Sequence, residues 1–503
     1  MDFLDNLVLS VNDVLYAYVL IILLVGLGIW FTFRTGFVQL RCIKEMVRLL
    51  CTNVGASTEK NHISPFQAFC ISTASRVGVG NIAGIAIAII VGGPGAIFWM
   101  WVMALIGSAT GFVESTLAQI YKVPRAEGGF RGGPAYYIKN ALHNNFMAVL
   151  FVVLICSTYG LIFNSVQANT ITLSLQGAFG FDRTTVGIIV SIMTAMVIFG
   201  GINRIAKVSE WMVPVMAGIY LLIAFYIVIK NINLMPQVIY DIVTSAFSLN
   251  AAFGGGMGLA MMTGIKRGLF SNEAGMGSVP NAAATATTDH PVTQGLIQAL
   301  GVFVDTLLVC TASAFIVMLS KDYMGVGLSG IELVQYALVE HIGAWSSIFL
   351  AVMIFLFAFS SIIGNYYYGE INIAFMWQSK KALNIFRIFV VLMVMFGSVA
   401  KVSLVWNLAD LFMALMAITN LIAISRLAPN AYLALKDYLA QKKAGIKDPV
   451  FKASVLKISQ SPMSANVSIF PSQTAPESGR KTNAGILICE IDIKPQYVLT
   501  PMA

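Results

Sequence analysis

The run Ser72-Thr-Ala-Ser-Arg-Val-Gly-Val-Gly-Asn-Ile-Ala-Gly84 decides how this chain is read. It lies inside a segment from Ser64-Pro65 to Ile90, which at about 1.5 Å per residue makes about 40 Å of helix. A bilayer core is about 30 Å thick, so the segment can cross a membrane even with its middle unwound. Ser64 is suited to cap the helix and Pro65 to begin its first turn. The middle is unsuited to helix. Gly78 and Gly80 lower its propensity, and Ser72, Thr73, Ser75, Arg76 and Asn81 bring polar groups to membrane depth. Backbone groups cannot face lipid unpaired, so an opened turn here must line a cavity or hold a ligand. One reading is a broken helix whose free carbonyls hold a cation and whose free N–H groups meet an anion. The other is a glycine-lined packing seam between two helices.

A chain of 503 residues with 58% hydrophobic and 11% charged residues is no soluble globule, in which charged residues make up about a quarter. Its apolar runs are continuous and helix-length, unlike the short alternating segments of a barrel. The expected fold is therefore all-α and integral to a membrane, with the lipid bilayer as its surroundings. The net charge of +8 comes from Lys and Arg in loops, which are orientation signals and imply no nucleic-acid partner. Six scattered cysteines without a CxxC pair predict free thiols. The first apolar run, Leu15 to Phe33, has no basic residue before it and no cleavage site, and is expected to be a span, not a signal peptide.

Basic loops, beginning with Arg34, Arg41, Lys44, Arg48 and Lys60, fall consistently on one side of an eleven-span count. That predicts a multi-pass protein of the cell (inner or plasma) membrane, N-terminus outside and C-terminus cytoplasmic. A fourth span, Phe146 to Leu175, carries Asn164, Gln167 and Asn169. A seventh, Val238 to Met262, is interrupted by Phe253-Gly-Gly-Gly-Met-Gly258, and the stretch from Lys266 to Gly277 is expected as an irregular internal or surface loop. The interrupted spans are the second and the seventh. An odd interval sets them in opposite orientations, the pattern of an inverted-repeat transporter, which favours the broken-helix reading of the quoted run. Residues 1–63 form an extra N-terminal helix and cytoplasmic loop, 64–425 the transport core, and 426–503 a cytoplasmic tail with a disordered Ser459–Lys481 and a short strand at Ala484–Ile493.

Sodium wants hard oxygens, which Ser360 and Ser361 near unwound carbonyls would supply, although membrane serines commonly bond to their own helix. Glu114 and Asp305 are either proton relays or neutral acids hydrogen-bonded between helices, and each costs about 2.5 to 3.5 kcal/mol if charged and unpaired. Glu370 and Asp410 lie nearer helix ends and read as structural. Histidines 62, 143, 290 and 341 all fall outside the spans, against a histidine relay. Arg76 would repel a cation beside it, so its side chain is expected to point to the cytoplasmic vestibule or to pair with an acid such as Glu114. No nucleophile-base pair or metal-ligand cluster falls at membrane depth, so the chain is not expected to be an enzyme.

The run Gly92-Gly-Pro-Gly-Ala-Ile-Phe-Trp-Met-Trp-Val-Met-Ala-Leu-Ile-Gly107 resembles the signature of the alanine or glycine:cation symporter family (sodium:alanine symporters). Val77–Gly84, Lys266–Gly275 and Phe357–Glu370 are similar to the same family. The resemblance implies a LeuT-like fold, a five-plus-five inverted repeat with one extra N-terminal helix. It implies sodium-coupled symport of a small neutral amino acid, alanine or glycine, by alternating access, with sodium as the co-transported ion and no organic cofactor. Alternatives within that fold are proton coupling and a preference for glutamine or serine. By the same resemblance, N–H groups of Val79 and Gly80 would hold the substrate carboxylate, Asn81 would position substrate or ion, and Gln167 would reach the amino acid. Phe253 and Gly254 would cover it. Carbonyls of Ala74, Val77 and Phe357 with the hydroxyls of Ser360 and Ser361 would form a sodium site. Some family members carry Trp where this chain has Asn365, which implies a roomier or more polar pocket here.

Overall fold

A computed structural model describes residues 2–52, 62–125, 128–199, 202–247, 256–377 and 379–456. Among the described residues seven helices are long and apolar enough to cross a membrane, from Leu7–Arg34 to Val402–Lys443, or eight if the pair Pro214–Lys230 and Ile232–Ala246, bent by 75°, counts as one span. Among the described residues the extended elements are the paired strands Val123–Pro124 and Phe130–Arg131 and a lone parallel bridge between Ile63 and Ala286. Among the described residues, cysteines 42, 51, 70, 156 and 310 form no disulfide.

The quoted run is interrupted. Ser64 caps the helix Pro65–Arg76 by accepting from the Gln67 N–H, and the Gln67 side chain returns the bond to the Ser64 N–H. The helix stops at Val77, a 3₁₀ turn covers Val79–Asn81, and helix resumes over Ala83–Gly92. Every residue from Ala68 to Ala86 is buried, so the opening is enclosed by protein.

A second interruption lies where the sequence predicts a loop. Helix Gly256–Asn272 runs through Lys266 and Arg267, the chain then turns through left-handed Glu273 (φ 57°), Gly275 (φ 90°) and Gly277 (φ 85°), and helix resumes at Val279–Ala283. Residues 263–286 are buried. The expected loop over Lys266–Gly277 is thus corrected to a helix and turn buried inside the protein. The two cations misled because each has an acid waiting in the fold: Arg267 Nη2 lies 2.5 Å from Asp410 Oδ2, and Lys266 Nζ lies 4.0 Å from Asp13 Oδ1 and 4.4 Å over the Tyr16 ring. The break expected at Phe253–Gly258 lies largely outside the described residues, as do Ser459–Lys481 and Ala484–Ile493.

Around these two segments the long helices form the enclosure. Gly95–Ile120 packs against both Gly256–Asn272 and Pro291–Phe303, and Asn164–Phe179 lies between Trp345–Met376 and Lys380–Val399. The first helix is tied to the last, with Asn12 Nδ2 donating to Asn407 O (2.9 Å) and Tyr16 Oη to Asp410 O (3.0 Å). Short π-helical stretches at Cys156–Phe163 and Val304–Cys310 widen two of the enclosing helices beside the interruptions.

The last helix runs past Arg426 to Lys443, and its end is anchored. Tyr438 Oη and Lys442 Nζ reach Glu45 Oε1 (2.7 and 3.2 Å), and the Phe451 N–H donates to Asp289 O (3.0 Å). His290 is buried between the Tyr438 and Phe451 rings, accepts the Val292 N–H at Nδ1 (3.2 Å), and meets Asp437 Oδ2 through Nε2 (3.2 Å). Burial pushes its pKa below the ordinary 6.5, against the opposing pull of Asp437. Below about pH 6.5 the unfolded chain therefore binds a proton that the folded one refuses, and stability falls as pH drops through that window. Melting curves in detergent should show this fall in the wild type and a shallower one in His290→Asn, which keeps a capping oxygen without the titration.

Candidate functional site

The two interruptions face one another. Asn81 Nδ2 donates to Ser271 Oγ (3.0 Å), and Ser75 Oγ lies 3.4 Å from Glu273 Oε1. The Cδ1–Cε1 edge of the Phe270 ring lies against Gly80, where an added Cβ would sit 2.7 Å from the ring's Cε1; only glycine lets the ring come so close. Beside the opening Phe270 packs in tilted contact with the rings of Phe163 (4.7 Å) and Trp406 (5.0 Å), and the Arg267 guanidinium rests 4.8 Å over the Trp406 ring. An aromatic lid held by the Arg267–Asp410 ion pair thus closes the site on the side facing the first helix.

The freed N–H groups of the first break have partners that can be exchanged. Val79 N–H donates to Gln167 Oε1 (3.1 Å) and Gly78 N–H to Asn81 Oδ1 (3.3 Å). These sit at the N-terminal end of the helix that resumes at Ala83, where partial positive charge favours an anion. Gln167 thus spans the opening from the opposite helix.

The carbonyl end of the first half-helix meets hydroxyls. Ser361 Oγ donates to Ala74 O (3.0 Å) and to Phe357 O (3.0 Å), and Ser360 Oγ to Phe357 O (2.8 Å). Ala74 O, Phe357 O and both hydroxyls therefore form one oxygen cluster, with Val77 buried at the helix end beside it. Both serines also bond to their own helix, as membrane serines do. Asn81 belongs elsewhere: its Nδ2 is shared between Ser271 Oγ and Asp305 O (3.2 Å). One turn beyond Ser361, Asn365 Oδ1 accepts from Ser75 Oγ (2.7 Å) while its Nδ2 is buried with no hydrogen-bond partner. Phe253 and Gly254 lie outside the described residues.

The buried acids have specific attachments. Glu114 Oε1 accepts the Gly275 N–H (3.0 Å) and Oε2 accepts Asn420 Nδ2 (2.8 Å), which also donates to Gly275 O (3.0 Å). Tyr137 Oη bonds the other end of the Asn420 amide. Glu114 therefore clamps the second interruption. Arg76 does not pair with it: Arg76 Nε lies 2.9 Å from Asp305 Oδ2, both side chains fully enclosed. Glu273, Phe270, Trp406 and the Arg267–Asp410 pair were missed by sequence reasoning. The signal for the first two was the Gly-x-Gly spacing of Gly275 and Gly277, which matches Gly78 and Gly80.

The family model described as sodium:alanine symporter family matches residues 1–453. The chain is 57% identical over 454 residues to a probable sodium/glutamine symporter, GlnT, of Bacillus subtilis strain 168, covering 90% of this chain and 94% of that protein. It is 52% identical to the amino-acid carrier protein AlsT of the same organism (90% and 96% covered), and 37% identical to the sodium/alanine symporter AgcS of Methanococcus maripaludis (84% and 94%). In three dimensions it resembles MhsT, solved in complex with L-phenylalanine, with a TM-score of 0.56 at 14% identity over 75% of this chain and 99% of that one, a likeness of fold.

Overpacking a filled site costs about 1–3 kcal/mol, so Gly80→Ala should lower both thermal stability and substrate affinity by pushing against Phe270. Adding Phe270→Ala should recover much of the stability loss, and additive losses in the double variant would contradict the contact. Glu114→Ala strands the buried Gly275 N–H, and a melting-point loss corresponding to about 1–3 kcal/mol is expected.

Proposed function

The chain belongs to the sodium:alanine symporter family, and from that premise we propose that it is a secondary active transporter coupling sodium entry to uptake of a small neutral amino acid, alanine or glycine. Family and fold are those of transporters, not enzymes. The observation that carries the reading is the buried meeting of the two interrupted helices, with an oxygen cluster at the carbonyl end of one half-helix and, at the start of the next, N–H groups capped only by side-chain amides.

In the proposed mechanism sodium binds at Ala74 O, Val77 O, Phe357 O, Ser360 Oγ and Ser361 Oγ, where the half-helix dipole is negative. The amino acid carboxylate displaces Gln167 from the Val79 N–H and takes the Gly80 N–H as well, near Asn81, while Gln167 turns to the substrate. Phe270 roofs the substrate, together with Phe253 and Gly254 as the sequence suggests. The membrane potential adds about 2.3 kcal/mol per charge per 100 mV, and each ligand must stabilise the state that binds the other. The topology proposed with it is eleven spans, a five-plus-five inverted repeat in residues 64–425, N-terminus outside and C-terminus cytoplasmic.

One observation favours a second substrate reading. Asn365 offers an unpaired buried amide donor toward the first interruption, and a relative at 57% identity is described as a probable sodium/glutamine symporter. Glutamine or serine is the substrate class that such a polar wall would admit. Proton coupling fits less well, because both Glu114 oxygens accept hydrogen bonds and Asp305 is ion-paired.

In liposomes, labelled alanine uptake should fall to background when choline replaces sodium at fixed pH; undiminished uptake would refute sodium coupling. Excess glutamine and serine should compete, and Asn365→Trp should weaken their competition about tenfold or more, about 1.4 kcal/mol, while sparing glycine.

A further inference from the structure

Arg76 is the residue the transport reading leaves without a role, and its surroundings give it one. A second group of oxygens lies across the first interruption from the serine cluster. Ser271 Oγ accepts from Asn81 Nδ2 (3.0 Å) and lies 3.1 Å from Thr306 Oγ1, Asp305 O accepts from Asn81 Nδ2 (3.2 Å), and Thr306 Oγ1 also accepts from Asn272 Nδ2 (3.2 Å). The residue that supplies that carbonyl also carries a carboxylate, fully enclosed, with Oδ1 lacking a hydrogen-bond partner. Hydroxyls, carbonyls and a carboxylate are the donors that hard cations take. By charge this group is a stronger cation site than the serine cluster, whose donors are all neutral.

It is already neutralised from within the chain. Arg76 Nε sits 2.9 Å from Asp305 Oδ2. Arg76 Nη2 donates to Ser72 Oγ (3.4 Å) and Gln298 Oε1 (3.3 Å), Gln298 Nε2 to Gln294 Oε1 (3.1 Å), and Gln294 Nε2 to Pro65 O (3.0 Å). The guanidinium is thereby held between the half-helix Pro65–Arg76 and the helix Pro291–Phe303. A Cβ at Gly301 would come within 2.9 Å of its Cζ, so that glycine makes the room. Arginine keeps its charge under all physiological conditions, and its planar fork fixes the head in place.

We propose that Arg76 is a resident counter-ion standing where a second transported cation would otherwise bind, so that one sodium ion moves per amino acid. With the arginine charge removed, Asp305, Asn81, Ser271 and Thr306 become a second sodium site. The proposal rests on the sodium-coupled reading above, and deepens it by setting the stoichiometry.

The test is the ratio of labelled sodium to labelled alanine carried by the full chain in liposomes at clamped potential. Wild type and Arg76→Lys should carry one sodium per alanine. Arg76→Gln should carry two, with sigmoidal sodium dependence. A wild-type ratio of two, or an Arg76→Gln protein that transports at the wild-type ratio, overturns the proposal. Should Arg76→Gln fail to fold, Arg76→Gln/Asp305→Asn removes both charges and should return one sodium per alanine; a ratio of two in that neutral variant also overturns it. Uptake indifferent to choline replacement would instead sink the sodium-coupled reading itself, a separate result.

Discussion

A bilayer offers no water to an unpaired peptide group, and the architecture follows from how this chain opens two helices at that depth without leaving their backbones bare. The first opening is covered by side-chain amides, with Gln167 on the Val79 N–H and Asn81 on the Gly78 N–H. The second is held by Glu114 and Asn420, which between them take the N–H and the carbonyl of Gly275. The difference has a consequence. Amide caps on the first opening are neutral and exchangeable, suited to give way to a ligand. The carboxylate clamp on the second is braced by Asn420, itself bonded to Tyr137, and is suited to hold a turn in left-handed conformations that residues other than glycine resist.

Charge inside the bundle is handled by pairing. Arg267 with Asp410 and Arg76 with Asp305 place each guanidinium against a carboxylate. Burying such pairs is no cheap source of stability, because desolvation offsets much of their attraction. Their positions explain them better than their energies do. Arg267–Asp410 braces the aromatic lid on one side of the site, and Arg76–Asp305 ties the half-helix below it to a neighbouring helix. Both pairs connect helices that meet around the two interruptions.

On the opposite face from the lid, the start of the first interrupted segment and the end of the second meet at the Ile63–Ala286 bridge, with the Thr287 N–H donating to Ile63 O (2.9 Å). Gln119 Nε2 and Lys122 Nζ donate to Ala286 O (3.0 and 2.8 Å), and the end of the last helix grips Asp289 and His290. The connection after the second interruption is therefore held by the first interrupted segment, a long span and the tail at once.

Much of this was legible without coordinates. Glycines flanked by polar residues within an apolar run of membrane-spanning length force an enclosed break around Gly78, because neither helix propensity nor lipid permits another outcome; Ser64-Pro65 marks its start for local reasons of capping. The interruption after Asn272 was read as a plain loop because Lys266 and Arg267 look like loop charges, and local sequence cannot announce that Asp410 and Asp13, far along the chain, lie beside them. The same holds for Arg76, whose partner is Asp305 and not Glu114. Propensity and hydropathy act over a few residues and determined which segments cross and where one must open. Partner choice among buried charges, and the packing of the Phe270 ring edge against Gly80, depend on long-range packing, and only the tertiary structure decided them.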